Sequence, residues 1–227
     1  MLCVPLKELI KYLTMTRGEV RSFLARKRDL RYQHLTIDAS NKCTLLCSQC
    51  RRQSNKFLGF PSGENGRDIT LSDVKKLSDY FYVFDFCGQV SDPIFCEEFI
   101  EILEYLYQID RYTTVHTAAT AKNRNREWYE KAFKANPKAH WIFGIDGLPE
   151  ESHLYRVGQD GKFLFEMMKL ARSMGLNPRW QYIVFKYNEN DIERCAKIAE
   201  DEGITFEVNV TNRWDEDLKP NNPRWRI

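Results

Sequence analysis

With 227 residues, 43% of them hydrophobic and 29% charged, the chain can bury one sizeable core but would be crowded as two full domains. A formal net charge of +2 supplies no broad basic field, so despite a basic cluster over 17–31 the chain does not read as a dedicated nucleic-acid binder. No apolar run approaches the roughly 20 residues that span a bilayer, and seven cysteines, an odd number behind no secretory signal, point to reduced thiols in a cytoplasm.

Residues 1–31 carry helical patterns. Leu6, Leu9, Ile10 and Leu13 recur at helical spacing, and Thr16 with Glu19 forms a capping box ahead of Val20, Phe23 and Leu24. Beyond them extended and helical patterns alternate. A short strand over 35–39 delivers the chain to a cysteine-bearing loop, 57–68 is a Gly-, Pro- and Asn-containing loop, and Thr70 or Ser72 caps a helix bearing Leu71, Val74, Leu77 and Phe81. Strands over 82–86, 113–117, 141–145 and 180–185 are each followed by a helix, over 96–108, 126–135, 162–174 and 191–202, the last two ended by Gly175 and Gly203; a sixth strand covers 205–210. Six strands separated by five helices imply a parallel sheet, because parallel neighbours need a helix-length return. The chain thus divides into a helical extension (1–31), a sheet-forming unit (32–214) and a tail (215–227). Periodicity leaves a doubly wound sheet and a partial barrel both open.

The first loop holds Cys43, Cys47 and Cys50 at the spacing Cys-x-x-x-Cys-x-x-Cys. Three thiolates leave a metal centre one protein ligand short. A zinc completed by a distant His34, His116, His140 or His153 is one reading, but zinc sites usually pair two short-spaced ligand couples and no second couple is present. Three thiolates on a tight loop suit a 4Fe-4S cubane with an open iron.

The triplet resembles the signature of the radical S-adenosylmethionine (SAM) enzymes. The resemblance implies an α/β partial (β/α)6 barrel, a single 4Fe-4S cluster on Cys43, Cys47 and Cys50, and SAM chelated to the free iron. Reductive cleavage of SAM then yields a 5′-deoxyadenosyl radical that abstracts hydrogen from a substrate. Where the family usually has an aromatic residue before the third cysteine, this chain has Gln49. After the second strand, Cys87-Gly-Gln-Val-Ser-Asp-Pro93 is similar to the family's Gly-Gly-Glu-Pro segment, which implies that Gly88, Gln89, Ser91 and Asp92 meet the amino group of SAM. Thr117-Ala-Ala-Thr120 stands where relatives often have Thr-Asn-Gly, with Ala118 removing a ribose contact and Thr117 kept as a cofactor residue.

Phe143-Gly-Ile-Asp-Gly147, followed by His153 and Tyr155-Arg156, resembles the fourth-strand segment of the peptide-modifying branch. By position Gly144 falls at the ribose, Arg156 at the SAM carboxylate, which its planar fork matches, and Asp146 at the barrel mouth. Trp180 to Asn190 and Val210 to Trp214 resemble the fifth and sixth strands of a subgroup whose chains continue into auxiliary-cluster domains. Cys3, Cys87, Cys96 and Cys195 have no cluster spacing, so one cluster is expected; Cys96 and Cys195 read as packed thiols, and Cys87, beside the site, as a candidate hydrogen-atom donor. Lys186, Tyr187 and Asn188 fall at the mouth, where substrate contacts are expected.

Three functions fit these residues. The leading one is a radical SAM enzyme acting on a peptide or small polar substrate. The others are a glycyl-radical activase or nucleoside-modifying enzyme of the same superfamily, and an iron-sulfur binding protein without catalysis. The resemblance also implies a reducing partner such as flavodoxin or ferredoxin, leaves oligomerisation open, and requires shielding, here assigned to the segment 6–31, the tail 214–227 and the substrate itself.

Overall fold

The computed structural model describes residues 33–53 and 66–227, so the expected helices over 1–31 lie outside the described residues. Six strands, β1 (His34–Ile37), β2 (Val83–Phe86), β3 (Tyr112–Thr117), β4 (His140–Gly144), β5 (Arg179–Ile183) and β6 (Thr205–Asn209), pair in parallel in the spatial order of the sequence. A doubly wound sheet would reverse its strand order at a switch point. Strictly sequential order with right-handed crossovers instead puts every helix on one face, which is the arrangement of a barrel wall. β6 does not pair with β1, so the wall is open.

Between the strands lie helices α1 (Leu71–Leu77), α2 (Phe99–Gln108), α3 (Arg126–Ala135), α4 (Gly161–Ser173) and α5 (Ile192–Asp201). Their ends follow local chemistry. Thr70 caps α1 in a reciprocal box with Asp73, Asn125 and Asp160 accept from the backbone of α3 and α4, and Gly175 and Gly203 take the positive φ that ends α4 and α5. The helix expected over 96–108 begins later, because Asp92 caps a short 3₁₀ turn, Pro93–Phe95, and Cys96 is extended.

Strand alternation sorts side chains into two environments. Phe84, Phe86, Trp141, Phe143, Trp180 and Tyr182 point towards the helices and are fully buried. Phe86 meets Phe99 edge-on at 5.2 Å, Trp141 meets Phe133 at 5.0 Å, and Trp180 meets Phe165 at 5.1 Å. The core therefore lies between sheet and helices. The alternate positions face the barrel lumen, and many are polar: Asp85, Thr114, His116 and Gln181 are only partly buried. Among the described residues no helix is long and apolar enough to cross a membrane.

Candidate functional site

The cysteine loop leaves the carboxyl end of β1 and is held from several sides. Leu46 N–H donates to Val157 O at 2.9 Å, and Thr44 Oγ1 to Thr120 O at 3.0 Å. The Arg52 guanidinium donates to Asn41 O at 2.7 Å and Val90 O at 3.1 Å, joining the loop to the chain after β2. Burial pushes the Cys43 thiol up to about 12, with Asp92 adding to the rise, and burial pushes Cys47 up to about 11 against the pull of Arg156. Thiols so placed ionise readily only when a cation joins them. Among the described residues the metal-ligating atoms gathered within 4.8 Å of one another are those of Asp85, Cys87 and His116, so the three loop thiols stand wider apart than one ion would draw them.

The turn after β2 is organised by Asp38, a residue that no sequence motif marked. One oxygen of its carboxylate accepts from Gln89 N–H at 2.8 Å, Val90 N–H at 3.3 Å and Ser91 Oγ at 2.7 Å. The turn is tight enough that a Cβ on Gly88 would sit 1.9 Å from Ser91 O, so only glycine fits. Asp92 is buried and points into the protein. Its oxygens accept from Ala118 N–H and Ala119 N–H at 2.8 Å each and from Thr117 Oγ1 at 3.0 Å, locking the turn to the end of β3. Burial raises its pKa, while those donors favour the ionised form.

β4 brings in Gly144 and, through the following loop, Arg156 and Asp146. Arg156 Nε lies 2.7 Å from Asp146 Oδ2, and Asp146 has no exposed surface. Burial raises the Asp146 pKa against the opposing charge of Arg156, and burial lowers that of Arg156 but is outweighed by Asp146, Cys47 and Tyr155 together. Asp146 Oδ1 also accepts from Ile183 N–H at 2.9 Å, which fixes the carboxylate between β4 and β5. A Cβ at Gly144 would approach Arg156 Nη2 to 2.8 Å and Ala118 Cβ to 3.3 Å. The missing side chain at Gly144 thus makes room for the guanidinium.

These elements enclose a cavity of about 320 Å³ lined by Cys43, Cys47, Cys50, Cys87, Gly88, Gln89, Ser91, Asp92, Thr117, Gly144 and Arg156. Asp146 stands behind Arg156 and is not part of the lining. His116, Gln181, Ile183 and Arg213 also contribute to the wall. Sequence reading named His116 only as a distant ligand that could complete a zinc and did not single out Gln181, although their alternation with buried neighbours on β3 and β5 could have placed both in the lumen. Of the residues expected at the mouth, Asn188 is fully buried, accepting from Phe185 N–H at 2.7 Å and donating to Ile183 O at 3.0 Å, and the Tyr187 hydroxyl donates to Asp146 O. Both hold the loop after β5. Gln49 donates to Asp215, placing the start of the tail against the cysteine loop. A second cavity, of about 440 Å³, lies at the amino ends of the strands around Tyr82, Tyr112 and His140. Barrel enzymes keep their chemistry at the carboxyl ends, where the cysteines are.

No protein-family model matches the chain, and no curated protein does. Solved structures do. SuiB of Streptococcus suis superposes with a TM-score of 0.64 at 14% identity, over 95% of this chain and 52% of that one, and has also been solved bound to S-adenosylmethionine and to the precursor peptide SuiA. The native anSMEcpe structure with bound AdoMet and Kp18Cys peptide gives 0.58 at 15% identity, over 84% of this chain and 56% of that one. TYW1 with a lysine-pyruvate adduct bound gives 0.54 at 11% identity, over 95% and 85%. The chain spans about half the length of the SuiB chain. With six parallel strands in sequential order and a three-cysteine loop at the carboxyl end of the first, the chain shares the fold of SuiB and anSMEcpe, both of which have been solved with S-adenosylmethionine bound.

Proposed function

We propose that this chain is a radical SAM enzyme that holds one 4Fe-4S cluster on Cys43, Cys47 and Cys50 and abstracts hydrogen from a peptide or small polar substrate. The observation that carries the reading is convergence: the three cysteines, the Gly88 turn and Arg156 come from separate loops and line one cavity at the carboxyl ends of the strands. The donor set suits the cluster, since three sulfurs of one loop line the cavity without all lying within 4.8 Å of one another, a spacing that a multi-iron centre accommodates better than one ion. When bound, cluster and SAM supply the 5′-deoxyadenosyl radical.

The chain's own residues bind, orient and shield. Arg156, held by Asp146, presents its fork to the SAM carboxylate. The turn through Gly88, Gln89 and Ser91, clamped by Asp38, offers backbone carbonyls to the amino group, while Asp92 keeps that turn in register with Thr117. Thr117, Ala118 and Gly144 line the cavity and would form the wall for the nucleoside. The tail contributes to the cover: Lys186 N–H donates to Leu218 O at 2.9 Å, and Asn221 and Asn222 donate to the Glu189 carboxylate. The half-buried polar lumen suits an ordered polar substrate, and a peptide fits the peptide-bound structures that share the fold. A flavodoxin or ferredoxin would supply the electron.

The test is anaerobic reconstitution followed by reduction in the presence of SAM. Slow release of 5′-deoxyadenosine and methionine is expected without substrate. A reduced cluster that binds SAM and releases none would assign the chain to non-catalytic iron-sulfur proteins. Gly88→Ala is expected to weaken SAM binding by about tenfold or more, equivalent to ~1.4 kcal/mol, because Ser91 O must move from its place. Iron content should be unaffected, and unchanged SAM affinity in this variant would remove the turn from the SAM site.

A further inference from the structure

In the lumen below the cysteine loop, Asp85, Cys87 and His116 bring a carboxylate oxygen, a sulfur and an imidazole nitrogen within 4.8 Å of one another. Strand register builds the group. Asp85 and Cys87 are two residues apart at the end of β2 and so face the same way. The pairing of Phe86 with Val115 then sets Cys87 beside His116 on β3.

We propose that these three side chains form a second metal site, for a single borderline-soft divalent transition ion of the zinc class, independent of the cysteine loop. His116 Nε2 lies 3.1 Å from Asp85 Oδ1, close to the roughly 3.3–3.6 Å edges of a tetrahedral zinc with N, O and S ligands. The two atoms stand at ion-pair distance, charged only when His116 is protonated, but outside hydrogen-bond alignment, and Asp85 Oδ1 is buried with no hydrogen bond from any other group. Two lone pairs converging on a common point satisfy this geometry. The other oxygen, Oδ2, accepts from Thr36 Oγ1 at 3.3 Å and faces His34 Nε2 at 3.7 Å, the outer-shell support that orients a ligating carboxylate. One thiolate, one carboxylate and a neutral imidazole balance the charge of a divalent ion. Three protein ligands leave a fourth position open, as in catalytic rather than structural zinc sites. Cys87 and His116 both line the cavity, so that position faces it and would take an oxygen donor of the substrate, fixing the substrate beneath the radical-generating centre.

The experiment titrates zinc and cobalt into the cluster-loaded protein, measuring bound zinc per chain by mass spectrometry and the thiolate-to-cobalt charge-transfer absorption. One zinc per chain beyond the iron is expected. Cys87→Ala should abolish the charge-transfer band, His116→Gln and Asp85→Asn should abolish tight zinc uptake, and Thr36→Val should weaken it about 10- to 100-fold. The triple Cys43→Ala, Cys47→Ala, Cys50→Ala protein should keep both zinc and band, which separates this site from the cysteine loop. No uptake by the cluster-loaded protein, or uptake lost in the triple variant but kept in Cys87→Ala and His116→Gln, would overturn the assignment and leave the proposed activity untouched.

Discussion

Replacing Cys43, Cys47 and Cys50 together by alanine is expected to take iron from about four per chain to none and to abolish 5′-deoxyadenosine release. The loss should be complete because no other cysteines have cluster spacing: Cys96 and Cys195 are buried in the helical layer, and Cys87 lies with Asp85 and His116. The fold should survive, since the loop is tied to the barrel by backbone and polar side-chain bonds such as Leu46 N–H to Val157 O and Arg52 to Val90 O. Iron and acid-labile sulfide analysis after anaerobic reconstitution reads the result. Firm zinc binding by the unaltered loop, with no iron uptake, would overturn the cluster.

Arg156→Ala should have two separable effects. Removing one partner of a buried ion pair leaves Asp146 charged and enclosed, and the expected cost is about 3–5 kcal/mol of stability. The same change should remove the fork proposed for the SAM carboxylate, so SAM affinity falls while any cluster still assembles. The double variant Arg156→Ala with Asp146→Ala distinguishes the two. It should recover much of the stability, because no buried charge is stranded, and none of the SAM affinity. Thermal unfolding and equilibrium SAM binding on both proteins measure this. Normal SAM affinity in either variant would show that Arg156 serves the fold alone.

Asp146 carries the sign of a pH effect. Its folded pKa is raised by burial despite Arg156, so relative to an exposed aspartate its ionised form is disfavoured by folding. Its contribution to stability is therefore present at low pH and declines as pH rises through the folded pKa. Asp85 runs the other way. Burial pushes it up, but His116, His34 and Thr36 together hold its pKa below the usual carboxylate value, so its stabilising contribution is present above the unfolded pKa and is lost as acid titrates it in the fold.

The alternation of strand and helix, the cap at Thr70, the terminating Gly175 and Gly203 and the cysteine loop after β1 were all legible in the sequence, because each depends on residues a few positions apart. Strand order was not. Doubly wound and barrel arrangements share one periodic pattern and differ only in which strands pair, a choice made by contacts across the whole chain. Nor could motifs reveal that Asp38 clamps the turn after β2, that Gly144 is small to admit Arg156, or that Asp92 turns inward to the end of β3. Asp85, Cys87 and His116 illustrate the division most plainly. Their residue types stand in the sequence, but only the parallel register of β2 and β3 sets them on one face within ligand distance, because strand neighbours are fixed by backbone pairing between segments about thirty residues apart.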